Sequence, residues 1–134
     1  MNAYRLISLF FMAAFIGVGL FFLFFPVRLV IFFNGLSGSL GLPLATVQGA
    51  GLYSVLAVGY MYLVGLLAFF MFRYPENRYF PLLLANGKFA SSFLSLSFAV
   101  ALKPYLIFLV NAVVDGLIGM IALLLYRRLK RKTS

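Results

Sequence analysis

Two ionisable side chains interrupt long apolar runs in this sequence, and they are the residues whose chemistry stands out. Lys88 lies nine positions after Tyr79, where one run begins, and Asp115 lies eleven positions before Tyr126, where another ends. At 1.5 Å of rise per helical residue, both would lie about 13–16 Å from the same end of their segments. An unpaired charge at the centre of a membrane helix costs about 2.5–3.5 kcal/mol. The sequence therefore predicts that Lys88 and Asp115 can pair or exchange a proton.

Other polar side chains are expected near this pair if the apolar segments are helices. Helical steps of three, four and seven from Lys88 reach three serines on one face, and Asn111 lies one turn from Asp115. Tyr62 is expected at a similar depth in the preceding segment, with Gln48 near the same face. The candidate cluster consists of Lys88, Asp115, Tyr62, Asn111, Ser91, Ser92, Ser95 and Gln48.

Three interpretations of this cluster are open from the sequence. It could be a structural network that fixes the register of the helices, a site for a ligand or proton, or a set of contacts to a partner subunit. The long side chain of Lys88 could alternatively extend to the headgroups, whereas the shorter Asp115 must face the protein interior, water or a partner. A stripe of small residues near Asp115, which includes Gly119, favours close packing of that face.

The composition excludes several kinds of catalytic and metal site. The 134 residues include no Cys and no His, and the only acidic residues are Glu76 and Asp115. Disulfides, thiolate nucleophiles, Fe–S clusters and His-ligated haem or zinc are therefore excluded. The two carboxylates are expected in a loop and in the middle of a helix, where they cannot act as a pair. We expect no metal site, no cofactor and no intrinsic catalytic activity.

Four apolar segments predict the fold class. Hydrophobic residues make up 65% of the chain and charged residues 10%, against about 45–50% and about 25% in soluble domains. Crossing a bilayer takes about 20 apolar residues, which must be helical because lipid offers no partner to free backbone groups. The predicted helices cover about 6–25, 47–72, 79–102 and 105–126. The sequence thus predicts an all-α integral membrane protein, with residues 1–134 forming a single antiparallel bundle of four transmembrane helices.

The basic residues predict the orientation of this bundle. Eight of them lie near the N-terminus, in the second loop or in the tail, and only Arg28 and Lys103 lie on the other side. The positive-inside rule then places both termini in the cytoplasm, and we expect a multi-pass protein of the bacterial inner membrane. The basic tail, residues 127–134, carries Arg127, Arg128, Lys130, Arg131 and Lys132. These cations are expected to attract anionic lipids rather than nucleic acid.

The first connection, residues 27–46, is unusually long for a protein of this size. Its apolar part, residues 27–33, is too short to cross a bilayer, and a glycine-rich stretch follows. We expect an amphipathic stub and a flexible loop on the outer surface. The alternative is a lid over a cavity among the helices, with the glycines as hinges.

Four short features carry a resemblance to a known family. Pro26 and Arg28 follow the first helix, and the sequence Gln48-Gly49-Ala50-Gly51 begins the second. Asn86-Gly87-Lys88 lies early in the third helix, and Val114-Asp115-Gly116 lies in the fourth. In these features and in its size, the chain resembles the DoxX-like small four-helix membrane proteins. The resemblance implies a membrane subunit, associated in some relatives with membrane redox or quinone-linked complexes. Any redox role would then belong to a partner or to a quinone held in the bundle.

The sequence as a whole favours a non-catalytic membrane subunit or a ligand-binding module. One alternative is a homo-oligomeric transporter or channel for a small solute, ion or proton. A second alternative is a quinone- or lipid-binding protein. The expected partners are membrane lipids, together with another membrane protein or a second copy of this chain.

Overall fold

The computed structural model describes residues 2–45 and 50–133, with side chains described for 2–45 and 55–132. Within these ranges all regular secondary structure is helical, which confirms the prediction of an all-α protein. The five helices are α1 (Ala3–Phe24), α2 (Pro26–Ser39), α3 (Ala50–Arg73), α4 (Tyr79–Ala101) and α5 (Leu106–Thr133). All except α2 contain a stretch long and apolar enough to cross a membrane.

The predicted outer loop, residues 27–46, is largely replaced by α2, a helix of 14 residues. Pro26 occupies its first turn, where the missing backbone N–H does no harm and the fixed φ angle suits a helix. The Asn34 side chain then holds the chain that follows α2, since its Nδ2 donates to the carbonyl of Ala45 and its Oδ1 accepts from the amide of Ala45, both at 2.8 Å. The prediction of a flexible loop is therefore wrong for the described part of this segment.

The glycine-rich stretch ends α2 with a specific turn. Gly41 has a φ angle of +70°, a left-handed conformation that a Cβ atom disfavours. The amide of Leu42 donates to the carbonyl of Ser37 at 2.9 Å, and the amide of Gly41 donates to that of Gly38 at 3.4 Å. This is a Schellman motif, in which the terminal carbonyls of a helix find donors. Gly41 therefore terminates a helix, which gives it a role other than the hinge of a lid.

The basic segment at the end of the chain also differs from its prediction as a separate tail. Residues 127–133 continue α5 rather than follow it. Leu125 belongs to the buried core and Leu129, one turn later, packs against that core, so the apolar face of α5 extends into the basic segment. The start of the second predicted helix, at Val47, lies outside the described residues.

Two helix pairs form most of the structure. α1 packs against α3 and α4 packs against α5, while α3 joins the pairs through contacts with α4 and α2 touches α1, α3 and α5. The core draws on all four long helices, and includes Phe15, Val64, Leu84 and Ala122. Small residues bring α4 and α5 together: a Cβ atom on Gly119 would lie 3.0 Å from the ring of Phe89. This close approach is what positions the polar side chains of the two helices.

Candidate functional site

Lys88 and Asp115 form a buried ion pair between α4 and α5. Lys88 Nζ donates a hydrogen bond to Asp115 Oδ1 over 3.0 Å. The side chains are only 1% and 3% exposed, so Lys88 does not extend toward the headgroups. Neither charge faces the surface that lipid would cover. The ion pair offsets much of the cost of placing each charge alone in an apolar medium.

Two aromatic rings cover the ammonium group of Lys88. Lys88 Nζ lies 4.5 Å from the ring centroid of Phe15 on α1 and 4.9 Å from that of Tyr60 on α3. The negative face of an aromatic ring attracts a cation, by about 2 kcal/mol or more where water is excluded. We call Lys88, Asp115, Phe15 and Tyr60 the ammonium cage. It contains one residue from each of the four long helices.

Tyr60, rather than the predicted Tyr62, is the tyrosine of this cage. Tyr60 Oη also donates a long hydrogen bond, 3.4 Å, to the carbonyl of Gly87. Tyr62 is 71% exposed and lies away from the ion pair, so its inclusion in the cluster was wrong. Two positions along a helix turn the side chain by about 200°, so these two residues must face opposite directions. The expected depth in the membrane is similar for Tyr60 and Tyr62, so depth cannot distinguish them. Tyr60 lies one turn before the apolar Val64, on the same face of α3, and this shared face is the feature of the sequence that favours Tyr60.

Phe15 was also absent from the prediction. It is one of 17 phenylalanines, and nothing in its type or spacing marks it as the partner of a cation. Only the tertiary structure, in which the Phe15 ring lies over Lys88 Nζ, identifies its role.

The predicted serines and Asn111 form a second group of contacts between α4 and α5. Asn111 Nδ2 donates to Ser91 Oγ at 3.1 Å and to Ser95 Oγ at 2.6 Å, which uses both of its N–H groups. Ser92 Oγ donates to the carbonyl of Ala112 at 2.6 Å. Over the length of the contact, positions later on α4 meet positions earlier on α5: Lys88 pairs with Asp115, Ser95 with Asn111 and Phe98 with Phe108. The two helices therefore run antiparallel, in one register that these bonds specify.

One polar atom of the site has no partner within the described part of the chain. Asp115 Oδ2 is buried and accepts no hydrogen bond there. A buried acceptor without a donor costs about 1–3 kcal/mol, and more when it carries charge. This oxygen is the atom of the ammonium cage at which a proton, a water molecule or a ligand donor could bind.

A separate apolar groove of about 330 Å³ runs between α1 and α3. Tyr62 and Gly65 line it, and Phe15 borders both the groove and the ammonium cage. The other lining residues are apolar, and neither Lys88 nor Asp115 is among them. A groove of this composition suits an apolar chain rather than a polar substrate.

The remaining predicted site residues fall into three groups. Gln48 lies outside the described residues. The five cations predicted in the basic tail occupy the last turns of α5, and two of them, Arg128 and Lys132, line a small pocket at the end of the helices. The described residues contain no group of three His, Cys, Asp or Glu side chains that could hold a metal ion.

Comparison of this chain with protein-family models, with curated proteins and with solved structures finds no match. The resemblance to DoxX-like proteins accordingly remains a prediction from the sequence.

Proposed function

We propose that this protein is a non-catalytic membrane subunit or ligand-binding module. The main support for the proposal is that most of the buried polar groups of α4 and α5 form hydrogen bonds or ion pairs with one another. Lys88 is bound by Asp115, and Asn111 is bound to Ser91 and Ser95. These contacts hold helices together, whereas the groove that could receive a ligand is lined by apolar groups and one tyrosine.

In this proposal the four long helices form an antiparallel bundle that crosses the bacterial inner membrane, with both termini in the cytoplasm. Large apolar side chains cover the outside of the helices: Phe10 and Phe93 are among many that are exposed. Lipid would cover these side chains. The excess of basic residues at the end that carries Arg5, Arg73 and the tail supports the cytoplasmic assignment.

The absence of cysteine makes this orientation directly testable, because any introduced cysteine is the single thiol of the chain. Glu76→Cys, in the turn between α3 and α4, should react with a membrane-impermeant maleimide only after the cells are permeabilised. Ser39→Cys, at the end of α2, should react in intact cells. Both positions are exposed in the structure, so access to the reagent decides the result. The reverse pattern would contradict the proposed orientation.

The groove between α1 and α3 is the binding surface that we propose for the module. The DoxX-like resemblance and the apolar lining together favour a ligand with a long apolar chain, such as a lipid or a quinone. The exposed apolar faces would instead serve a subunit that binds another membrane protein or a second copy of the chain.

Native mass spectrometry of the protein released from lipid nanodiscs tests this proposal. We expect the wild-type chain to retain a lipophilic ligand or a stoichiometric membrane protein. Gly65→Leu places a side chain in the groove and should lower ligand retention about tenfold, the loss expected when about 1.4 kcal/mol of binding is removed. Gly59→Leu is the matched control, since Gly59 is exposed on the same helix and no atom outside the neighbouring backbone and adjacent residues lies within 4 Å of its Cβ position. Release of the wild-type chain with no bound ligand and no partner protein, from several lipid mixtures, would contradict the proposal.

A transporter or channel for an ion or proton is the second candidate, and the unpartnered Asp115 Oδ2 favours it. A buried carboxylate beside a lysine can take up and release a proton, and ionisable residues inside membranes often mark such pathways. The two candidate functions predict different effects of neutralising Asp115 on stability. A transport site can tolerate a neutral Asp115 without loss of stability, whereas a structural pair cannot.

A further inference from the structure

A small pocket of about 70 Å³ lies where α1 begins and α5 ends. Asn2, Ala3 and Tyr4 line it from α1, Arg128 and Lys132 line it from α5, and Pro75 borders it from the turn between α3 and α4. No acidic residue is among the lining residues. The pocket is separate from the ammonium cage and from the groove between α1 and α3.

Backbone donors at the start of α1 lie beside this pocket. The Asn2 side chain accepts a hydrogen bond from the amide of Arg5 at 3.0 Å, and the carbonyl of Asn2 accepts from that of Leu6 at 3.1 Å. The amides of Ala3 and Tyr4 belong to the first turn and therefore have no acceptor within the helix. Free amides and the positive end of the helix dipole together favour an anion at this position.

The hydroxyl group of Tyr4 supplies an independent indication of a ligand. Tyr4 is only 7% exposed, and its Oη is buried without a hydrogen-bond partner among the described residues. A buried hydroxyl normally has a partner because leaving it unsatisfied is unfavourable. Because Tyr4 lines the pocket, a rotation of its side chain would bring the hydroxyl to an acceptor bound there.

Arg128 and Lys132 provide the positive charge. They are four residues apart on α5, so they project from the same face of the helix. Leu125 and Leu129 lie on that face as well, and their packing on the core sets the position of the last two turns of α5. The two cations are thereby placed at the pocket and not on a detached tail.

We infer that this pocket binds a phosphate group, supplied by the headgroup of an anionic phospholipid or by a free phosphate. Phosphate oxygens accept hydrogen bonds from amides, hydroxyls and guanidinium groups, and these are the donors present. The volume of about 70 Å³ suits one such group rather than a nucleotide or a peptide. The inference adds a polar site to the apolar groove of the proposed function and does not depend on that groove.

The test uses the full-length protein in detergent, with phosphatidic acid, diacylglycerol and inorganic phosphate as separate probes in native mass spectrometry. We expect one phosphatidic acid to be retained per chain and no diacylglycerol, which lacks the phosphate. Tyr4→Phe and Arg128→Gln should each lower retention about tenfold, the effect of losing one hydrogen bond to a charged group. Arg127→Gln is the matched control, because it removes the same charge from a neighbouring residue that does not line the pocket.

Competition with inorganic phosphate, the third probe, identifies the source of the phosphate group. Displacement of phosphatidic acid by inorganic phosphate would assign the site to a free phosphate, and failure to displace it would assign the site to the lipid. Tyr4→Phe should also unfold at an equal or higher temperature than the wild type without the probe, since it deletes an unsatisfied hydroxyl. Equal retention by the wild type, Tyr4→Phe and Arg128→Gln would overturn the inference. Retention of a ligand in the groove would survive that result, so the two proposals can fail separately.

Discussion

Asp115→Asn and Lys88→Met should each lower the free energy of unfolding by about 3–5 kcal/mol, because each leaves its partner as a buried, uncompensated charge. The pair is almost completely buried and its atoms are 3.0 Å apart, so water cannot replace the missing partner without rearrangement. Lys88→Met also removes the cation that Phe15 and Tyr60 cover. Unfolding of the purified protein in detergent by heat or by a denaturing detergent measures these losses.

The double variant Lys88→Met/Asp115→Asn should recover most of the lost stability, because it leaves no charge in the interior. Replacement of a whole buried ion pair by neutral groups is often close to neutral. The coupling between the two sites then follows from a double-mutant cycle. If all three variants are as stable as the wild type, the ion pair is not required for the fold. The transporter candidate would then gain and the structural interpretation of the pair would fail.

Tyr60→Leu should cost about 2 kcal/mol, whereas Tyr62→Leu should change stability by no more than about 0.5 kcal/mol. The reason is the ring of Tyr60, which lies 4.9 Å from Nζ of the buried Lys88. Tyr62 is exposed and contributes to the groove instead. Both measurements are made in detergent without added ligand, so that binding in the groove does not contribute.

Tyr60→Phe separates the ring from its hydroxyl. It keeps the aromatic face over the ammonium and removes the hydroxyl that donates the long 3.4 Å hydrogen bond to Gly87, so it should cost less than about 1 kcal/mol. A loss as large as that of Tyr60→Leu would show that the hydroxyl, and not the ring, stabilises the cage. A larger effect at Tyr62 than at Tyr60 would contradict the assignment of Tyr60 to the cage.

The site illustrates which features of a membrane helix can be inferred from its sequence. Lys88 and Asp115 stand out in the sequence because charge is costly in lipid, and their similar depth follows from the constant rise of a helix. Ser91, Ser95 and Asn111 could be added because helical spacing places them near the pair. Tyr60 and Phe15 could not be chosen, since depth does not distinguish Tyr60 from Tyr62 and phenylalanine is abundant throughout the chain.

The first connection shows a second limit. Pro26 precedes this segment and begins α2, and Gly41 lies in the turn that ends it. The glycine-rich stretch suggested a flexible loop because glycine is common in loops. The hydrogen bonds between Asn34 and Ala45 join positions eleven residues apart, and no local sequence pattern predicts them.

The sequence by itself determined the helical class, the four segments long and apolar enough to cross a membrane, and the two charges that need partners. These depend on hydrophobicity, length and rise per residue, which are local properties. Only the tertiary structure decided how each helix is rotated: which tyrosine faces Lys88, that Phe15 covers it, and that α5 carries Arg128 and Lys132 to the start of α1. The physical reason is that a helix that is apolar on all sides has no polar face to set its orientation. Packing against its neighbours sets its rotation instead.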